Sequence, residues 1–241
     1  MTASGLRALH HGRAPGDPLV LPGPWDAASA LVFADAGFPA LATPSAGVAA
    51  SLGYEDGSTP AAEMFAAVAR IARAVSVPVS ADIEAGYGLA PAELVERLLA
   101  TGAVGCNLED TVDGVLLDAG AQADRLAAVR AAAGDALFVN ARIDTYVTGV
   151  PDGVDPAAET LRRARLYAAA GADCLYPIMA PPEVFGPLAG ALPGLPLNAL
   201  ARPDGPGPGR LGELGATRIT FGPGLQRRAM AAVREIADRL R

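Results

Sequence analysis

The chain has 241 residues, 51% of them hydrophobic, and a net charge of −7 at pH 7; all nineteen basic residues are arginines. That length suits one large domain with an ample core, while dispersed arginines in an acidic chain argue against a nucleic-acid partner and no uncharged apolar run is long enough for a membrane span. Without lysine a Schiff-base nucleophile is excluded, and with His10 and His11 confined to an N-terminal stretch a serine–histidine triad or histidine-ligated zinc site is disfavoured too.

Residues 1–18 are expected to form a tail without a signal-peptide core, and residues 19–241 a single domain in a cytoplasmic protein. Leu19-Val20-Leu21 opens that domain as a short strand leading to Trp25-Asp26, where Asp26 reads as the N-cap of a small-residue helix closed by Gly37. Ala40–Thr43 is a second strand, followed by a long Ser- and Gly-rich loop from Pro44 to Ser58. A helix over about Pro60–Val75 places Met64, Val68, Ile71 and Val75 on one face. The next strand, from Val79, ends in Asp82-Ile83-Glu84 and the glycine-rich Ala85-Gly86-Tyr87-Gly88. Alternation along a strand predicts that Asp82 and Glu84 project to the same side.

Pro91 starts another helix, and Gly105–Asp110 is a strand that again ends in acids. A helix near Ala121–Ala133 leads to the strand Leu137–Asp144, and Asp155-Pro156 starts a helix that Gly171 closes. Cys174–Ile178, Leu197–Leu200 and Arg218–Gly222 are three more strands, separated by helices near Pro182–Leu192 and Arg210–Leu214. An amphipathic helix over about Leu225–Leu240 ends the chain. Cys106 and Cys174 sit in apolar strands and are expected to be buried free thiols.

A short motif recurs at Ala36-Gly37, Thr101-Gly102, Ala170-Gly171 and Leu214-Gly215, each time a helix-ending glycine followed by a buried strand. Apolar strands alternating with helices imply a parallel sheet, and eight such units fit a (β/α)8 TIM barrel. An open doubly wound sheet lacks support, because no G-x-G-x-x-G follows the first strand. In a barrel the strand ends meet at one mouth, bringing together Trp25, Asp26, the Pro44–Asp56 loop, Asp82, Glu84, Glu109, Asp110, Asn140, Arg142 and Asn198. Clustered carboxylates call for a positive partner. Asp82, Glu84 and Glu109 suit a hard divalent cation, Mg²⁺ ahead of Ca²⁺. Arg142 would pair with a substrate carboxylate or bridge the acids. Asp110 reads as a cap of the next segment, and Asp26 as a cap more than a site residue. The set suits a small anionic oxo-acid whose oxygens chelate the metal, with an enolate forming as the adjacent bond breaks.

These residues resemble the isocitrate lyase/phosphoenolpyruvate mutase superfamily. The likeness is carried by Trp25-Asp26-Ala27-Ala28-Ser29, Thr43-Pro44-Ser45-Ala46-Gly47, Gly53-Tyr54-Glu55-Asp56-Gly57, Asp82-Ile83-Glu84-Ala85-Gly86-Tyr87-Gly88, Leu108-Glu109-Asp110 and Asn140-Ala141-Arg142-Ile143-Asp144. The resemblance implies Mg²⁺-dependent (or Mn²⁺-dependent) making or breaking of C–C or P–C bonds in 2-oxo acids or their precursors. It implies that Asp82 is the main metal carboxylate, with Glu84, Glu109 and Asp56 holding metal-bound waters. It also implies that Arg142, Trp25, the Ser45-Ala46-Gly47 backbone and Asn198 meet the substrate, with Asp56, Glu109 and Arg142 as the catalytic group. A homotetramer with the final helix against a neighbour is the implied assembly.

The stretch Asp110–Asp118 departs from the family pattern. It has neither the cysteine-bearing signature of isocitrate and methylisocitrate lyases nor the lysine and asparagine of the mutases; Asp113 and Asp118 are the titratable groups left there. A divergent Mg²⁺-dependent C–C lyase or decarboxylase is therefore the leading expectation. A P–C bond hydrolase or mutase comes second, and a barrel that binds a 2-oxo acid or metal without turnover third.

Overall fold

In the computed structural model, which describes residues 1–241, eight parallel strands form the expected barrel. They are β1 (Leu19–Val20), β2 (Leu41–Thr43), β3 (Val79–Asp82), β4 (Gly105–Glu109), β5 (Phe138–Ile143), β6 (Cys174–Pro177), β7 (Asn198–Leu200) and β8 (Arg218–Thr220). Parallel ladders join β2 to β6 in sequence order and β1 to β7 through β8. Two single contacts close the seams: a bridge between Leu175 and Leu197, and the Ala42 amide donating to the Pro22 carbonyl at 3.1 Å.

Ten helices, α1 to α10 in chain order, accompany the strands. α1 (Ala3–His10) precedes β1, and α2 (Ala27–Asp35) connects β1 to β2. α3 (Ser45–Leu52) and α4 (Ala61–Ala74) follow β2, α5 (Pro91–Ala100) follows β3, and α6 (Ala119–Ala133) follows β4. The rest are α7 (Pro156–Ala169), α8 (Phe185–Ala191), α9 (Pro208–Glu213) and α10 (Gly224–Arg239). The main core lies between sheet and helices: Met64, Val68 and Ile71 of α4 and Leu94 and Leu98 of α5 pack on Ala81, Ile83 and Leu108. Cys106 and Cys174 are free and fully buried, as expected.

Two expectations need correction. Residues 1–18 are not a featureless tail, because α1 packs against the amino-terminal end of the barrel. Its Ala3 and Leu6 join Leu19, Val104, Phe138 and Cys174 in a second apolar cluster. His10 is buried and stacks on Phe138 with ring centroids 4.2 Å apart, while Arg7 binds the Asp173 carboxylate at 2.7 Å. α1 is amphipathic but only eight residues long, too short for its periodicity to stand out at the start of the chain. The second correction is the Pro44–Ser58 loop, whose first half is α3. Its small residues disguise a helix that ends at Gly53, in the left-handed region at φ +85°.

Candidate active site

At the carboxyl ends of the strands, two adjoining cavities occupy the barrel mouth. The inner one, about 130 Å³, is bounded by Thr43, Ser45, Asp82, Arg142, Tyr176 and Thr220, among others. The outer one, about 630 Å³, is bounded by Glu84, Tyr87, Glu109, Thr111, Asp113 and Arg125, among others. Asp56 borders both.

β3 positions Asp82. Its carboxylate accepts from the Ser45 hydroxyl at 3.1 Å and from the Glu84 amide at 3.3 Å. Simple strand alternation does not carry Glu84 to the site, because β3 ends at Asp82. Glu84 itself takes a left-handed backbone at φ +51°, which aims it into the outer cavity. Its Oε1 is buried without a partner. Burial raises the Asp82 pKa, opposed chiefly by Arg142. Burial, then the charges of Asp82 and Asp56, pushes Glu84 up to about 7.

β4 and β5 are paired in register at Glu109 and Arg142. Arg142 Nη1 meets Glu109 Oε2 at 2.5 Å, while Nε and Nη2 bind the two Asp144 oxygens at 2.7 and 2.9 Å. Arg142 is thus a bridge between acids that also borders the inner cavity. Burial pushes Glu109 up to about 8 in spite of Arg142, whose charge is shared with Asp144. Burial alone would lower Arg142, but the charges of Asp144, Asp82 and Glu109 hold it above its ordinary value.

Asp110 is not a simple cap. It is fully buried and accepts from Tyr167 at 2.7 Å, Arg163 at 2.9 Å and the Asp144 amide at 2.9 Å. Asp110 therefore ties α7 to the strand ends that present Glu109 and Arg142. Asp110, Arg163 and Tyr167 were not singled out together from sequence. The i,i+4 spacing of Arg163 and Tyr167 on a helix opposite a strand-end acid is the signal that could have found them.

Other expected site residues divide. Ser45 and Ala46, at the start of α3, border the inner cavity; Gly47 lies one step beyond, packed so closely on Pro44 that a Cβ would come within 2.9 Å of its ring. Trp25 borders a separate surface recess with Asp26, whose carboxylate caps α2 by accepting from the Ser29 amide. Asn198 is buried and does not border the cavity directly; its Oδ1 accepts from Thr220, which does. The Asp110–Asp118 stretch forms a tight hairpin, Thr111–Val112 pairing with Val115–Leu116 across an Asp113-Gly114 turn. Asp118 caps α6, leaving Asp113 beside the outer cavity.

The donors are all oxygen, which suits a hard divalent cation. Asp82, Glu84 and Glu109 do not close on one point, a spacing that suits contact with an ion partly through its water. Asp82 faces the inner cavity while Glu84 and Glu109 face the outer one. The crowding of these acids, with the unpartnered Glu84 oxygen, favours a cation that keeps most of its water, as Mg²⁺ does.

Comparison with known proteins identifies the family. A Mycobacterium tuberculosis protein, itself uncharacterized, is 35% identical over 215 residues, covering 89% of this chain and 80% of that protein. A protein from Burkholderia cenocepacia J2315, provisionally described as a phosphonomutase, superposes with a TM-score of 0.90 at 40% identity, covering 99% and 98% of the two chains. 2,3-Dimethylmalate lyase, a PEP mutase/isocitrate lyase superfamily member, superposes with a TM-score of 0.85 at 29% identity, covering 100% and 88%. The phosphoenolpyruvate phosphomutase family model matches residues 6–241. With that match over nearly its whole length, the chain belongs to the phosphoenolpyruvate mutase family of the PEP mutase/isocitrate lyase superfamily, a group of lyases and mutases.

Proposed function

We propose that this protein is a Mg²⁺-dependent lyase or decarboxylase that cleaves a C–C bond in a small 2-oxo acid or its precursor, by way of an enolate. The observation that carries this reading is the inner cavity, where Asp82, Arg142 and the amino-terminal turn of α3 converge on a space of about 130 Å³. A three-carbon oxo-acid unit fits there.

When bound, Mg²⁺ supplies Lewis-acid stabilisation of the negative charge that develops on the oxo oxygen. Asp82 would be its principal carboxylate, and Asp56, Glu84 and Glu109 would hold its water. The amides of α3 that follow Ser45, whose own amide donates to Asp82 at 3.5 Å, receive the substrate carboxylate, favoured by the helix dipole. Ser45 fixes the Asp82 carboxylate by hydrogen bonding. Arg142, held in place by Asp144 and Glu109, directs its remaining N–H groups at substrate oxygens. Trp25 and Asn198 act indirectly, through α2 and through Thr220.

A second reading, P–C bond cleavage or transfer, is favoured by the family model and by the Burkholderia neighbour. Consumption of phosphonopyruvate separates the two. We also assign a homo-oligomer, a tetramer by analogy, in which the exposed apolar face of α10 is covered by a neighbouring subunit.

The test is thermal unfolding with Mg²⁺ and oxalate, a mimic of the pyruvate enolate, on wild type and Asp82→Ala. Ligand at about 100 times its Kd adds about 2.7 kcal/mol, or about 5–10 °C in Tm for a chain of this size. The expected result is a shift that needs both ligands and disappears in the variant, together with loss of Mg²⁺-dependent turnover. No shift in wild type, or an unchanged shift in Asp82→Ala, would refute the reading.

A further inference from the structure

The largest fully buried side chain in the molecule is charged: Arg218, at the start of β8. Its guanidinium crosses the barrel interior to the opposite wall, where Nη2 makes long contacts of 3.4 Å with Ser80 Oγ on β3 and Asn107 Oδ1 on β4. It also lies 6.0 Å from the centre of the Phe138 ring on β5. Nε and Nη1 are buried without a partner, so no carboxylate pairs with it. The ionisable side chains around it are uncharged near neutral pH. Burial pushes Cys106, Cys174 and Tyr176 up to about 12, while burial and the charge of Arg218 lower His10 to about 3. Burial lowers the pKa of Arg218 as well, yet a guanidinium keeps its proton inside proteins. The barrel therefore encloses an uncompensated positive charge, a costly arrangement.

That charge lies beneath the inner cavity. Ser80 is two residues before Asp82 on the same face of β3, and Asn107 is the cross-strand partner of Asp82 and borders the cavity. The guanidinium is thus one side chain away from the space an anion would fill. The other positive charge there, Arg142, is already shared by Glu109 and Asp144. We propose that Arg218 is a positioning residue for the reaction assigned above, on which this inference rests: its uncompensated charge favours an anionic ligand in the inner cavity, and its N–H groups hold the Asn107 amide with the oxygen turned inward. Successive layers of side chains along a strand are about 7 Å apart, a separation at which two charges inside a protein still interact appreciably. A charge fixed in advance stabilises a developing enolate without reorganising. The same field disfavours a cation. The two ligands of the site therefore respond to Arg218 in opposite directions, which a mere staple between β8, β3 and β4 would not produce.

The experiment titrates Mg²⁺ alone, and then oxalate and singly charged oxamate with Mg²⁺ saturating, into wild type and Arg218→Met, which puts an unbranched apolar side chain in place of the charge. In the variant, oxalate is expected to bind at least ~5-fold more weakly. Oxamate loses less than oxalate does, and Mg²⁺ alone binds as tightly as in wild type or more tightly. A smaller loss for oxalate, an equal loss for oxamate, or a parallel weakening of Mg²⁺ overturns the assignment of Arg218. If Arg218→Met does not melt cooperatively, Arg218→Gln takes its place; if neither folds, the guanidinium is a structural staple and the inference falls. Failure of oxalate to bind in wild type overturns the inner site itself and is read without any variant, so the two failures are distinguishable.

Discussion

At the residue scale, the site is a balance of buried charges. Glu84 and Glu109 hold their protons up to about 7 and about 8 when folded, whereas in an unfolded chain they release them near the ordinary carboxylate value of about 4.3. Between those limits the folded, metal-free protein binds more protons than the unfolded one. Its stability contribution from these groups is therefore present at low pH and lost as pH rises towards about 8. On the proposed function, Mg²⁺ would need the ionised carboxylates, so its uptake would expel the protons. Calorimetric Mg²⁺ titrations at pH 6.5 in two buffers of different ionisation heat are expected to show proton release, fading by about pH 9. Identical heats in both buffers would contradict the arrangement.

Asp110 makes a separate prediction at the same scale. Its substitution by Ala leaves the Arg163 guanidinium, 6% exposed, without one of its buried carboxylates. Removing one partner of such a pair costs about 3–5 kcal/mol, to be read as a fall in the urea midpoint. A cost below about 1 kcal/mol would show that Glu159, which also binds Arg163 at 2.8 Å, suffices alone. The acids of this site were legible in the sequence because they interrupt apolar strands. Which oxygen faces which cavity was not, because that depends on the left-handed backbone at Glu84 and on cross-strand register between Glu109 and Arg142.

At the scale of elements, the strands and large amphipathic helices were legible from periodicity: α4 and α5 lie within a residue or two of their expected limits. What was missed shares a physical cause. α3 has the composition Ser-Ala-Gly-Val-Ala-Ala-Ser-Leu and shows no strong hydrophobic face, whereas α1 is amphipathic but spans only the eight residues Ala3–His10. Both are stabilised by packing that only the closed barrel supplies. For α1 this is testable. Leu6 is fully buried, and its would-be void faces Gly105, where a Cβ would come within 2.9 Å of Leu6 Cδ2. Leu6→Ala is expected to cost about 2–5 kcal/mol, measured by denaturant unfolding. A cost of a few tenths would mean that α1 is a dispensable appendage after all.

At the scale of the whole molecule, the barrel itself was readable from the recurring helix–glycine–strand unit, and the two loosely bridged seams still close it. The proposed assembly rests on a different feature. α10 ends the chain with one buried residue, Gln226, and presents Met230, Val233, Ile236 and Leu240 to solvent, from 45% to 83% exposed. Spacings of three and four residues put them on one stripe. α2 adds Leu31 and Val32, 45% and 66% exposed. A contiguous apolar stripe on a charged helix is unfavourable in water and is the mark of a protein interface. Wild type is therefore expected to run as a multimer by light scattering at micromolar concentration, and Ile236→Glu to shift it towards monomer by burying a charge at the contact. The proposed ligand contacts of the inner cavity, Asp82, Arg142 and the start of α3, all belong to this chain, so the dissociated variant is expected still to melt higher with Mg²⁺ and oxalate. A monomeric wild type would refute the assembly and leave the site untouched, whereas loss of the ligand-induced shift in the monomer would show that a neighbouring subunit completes the site.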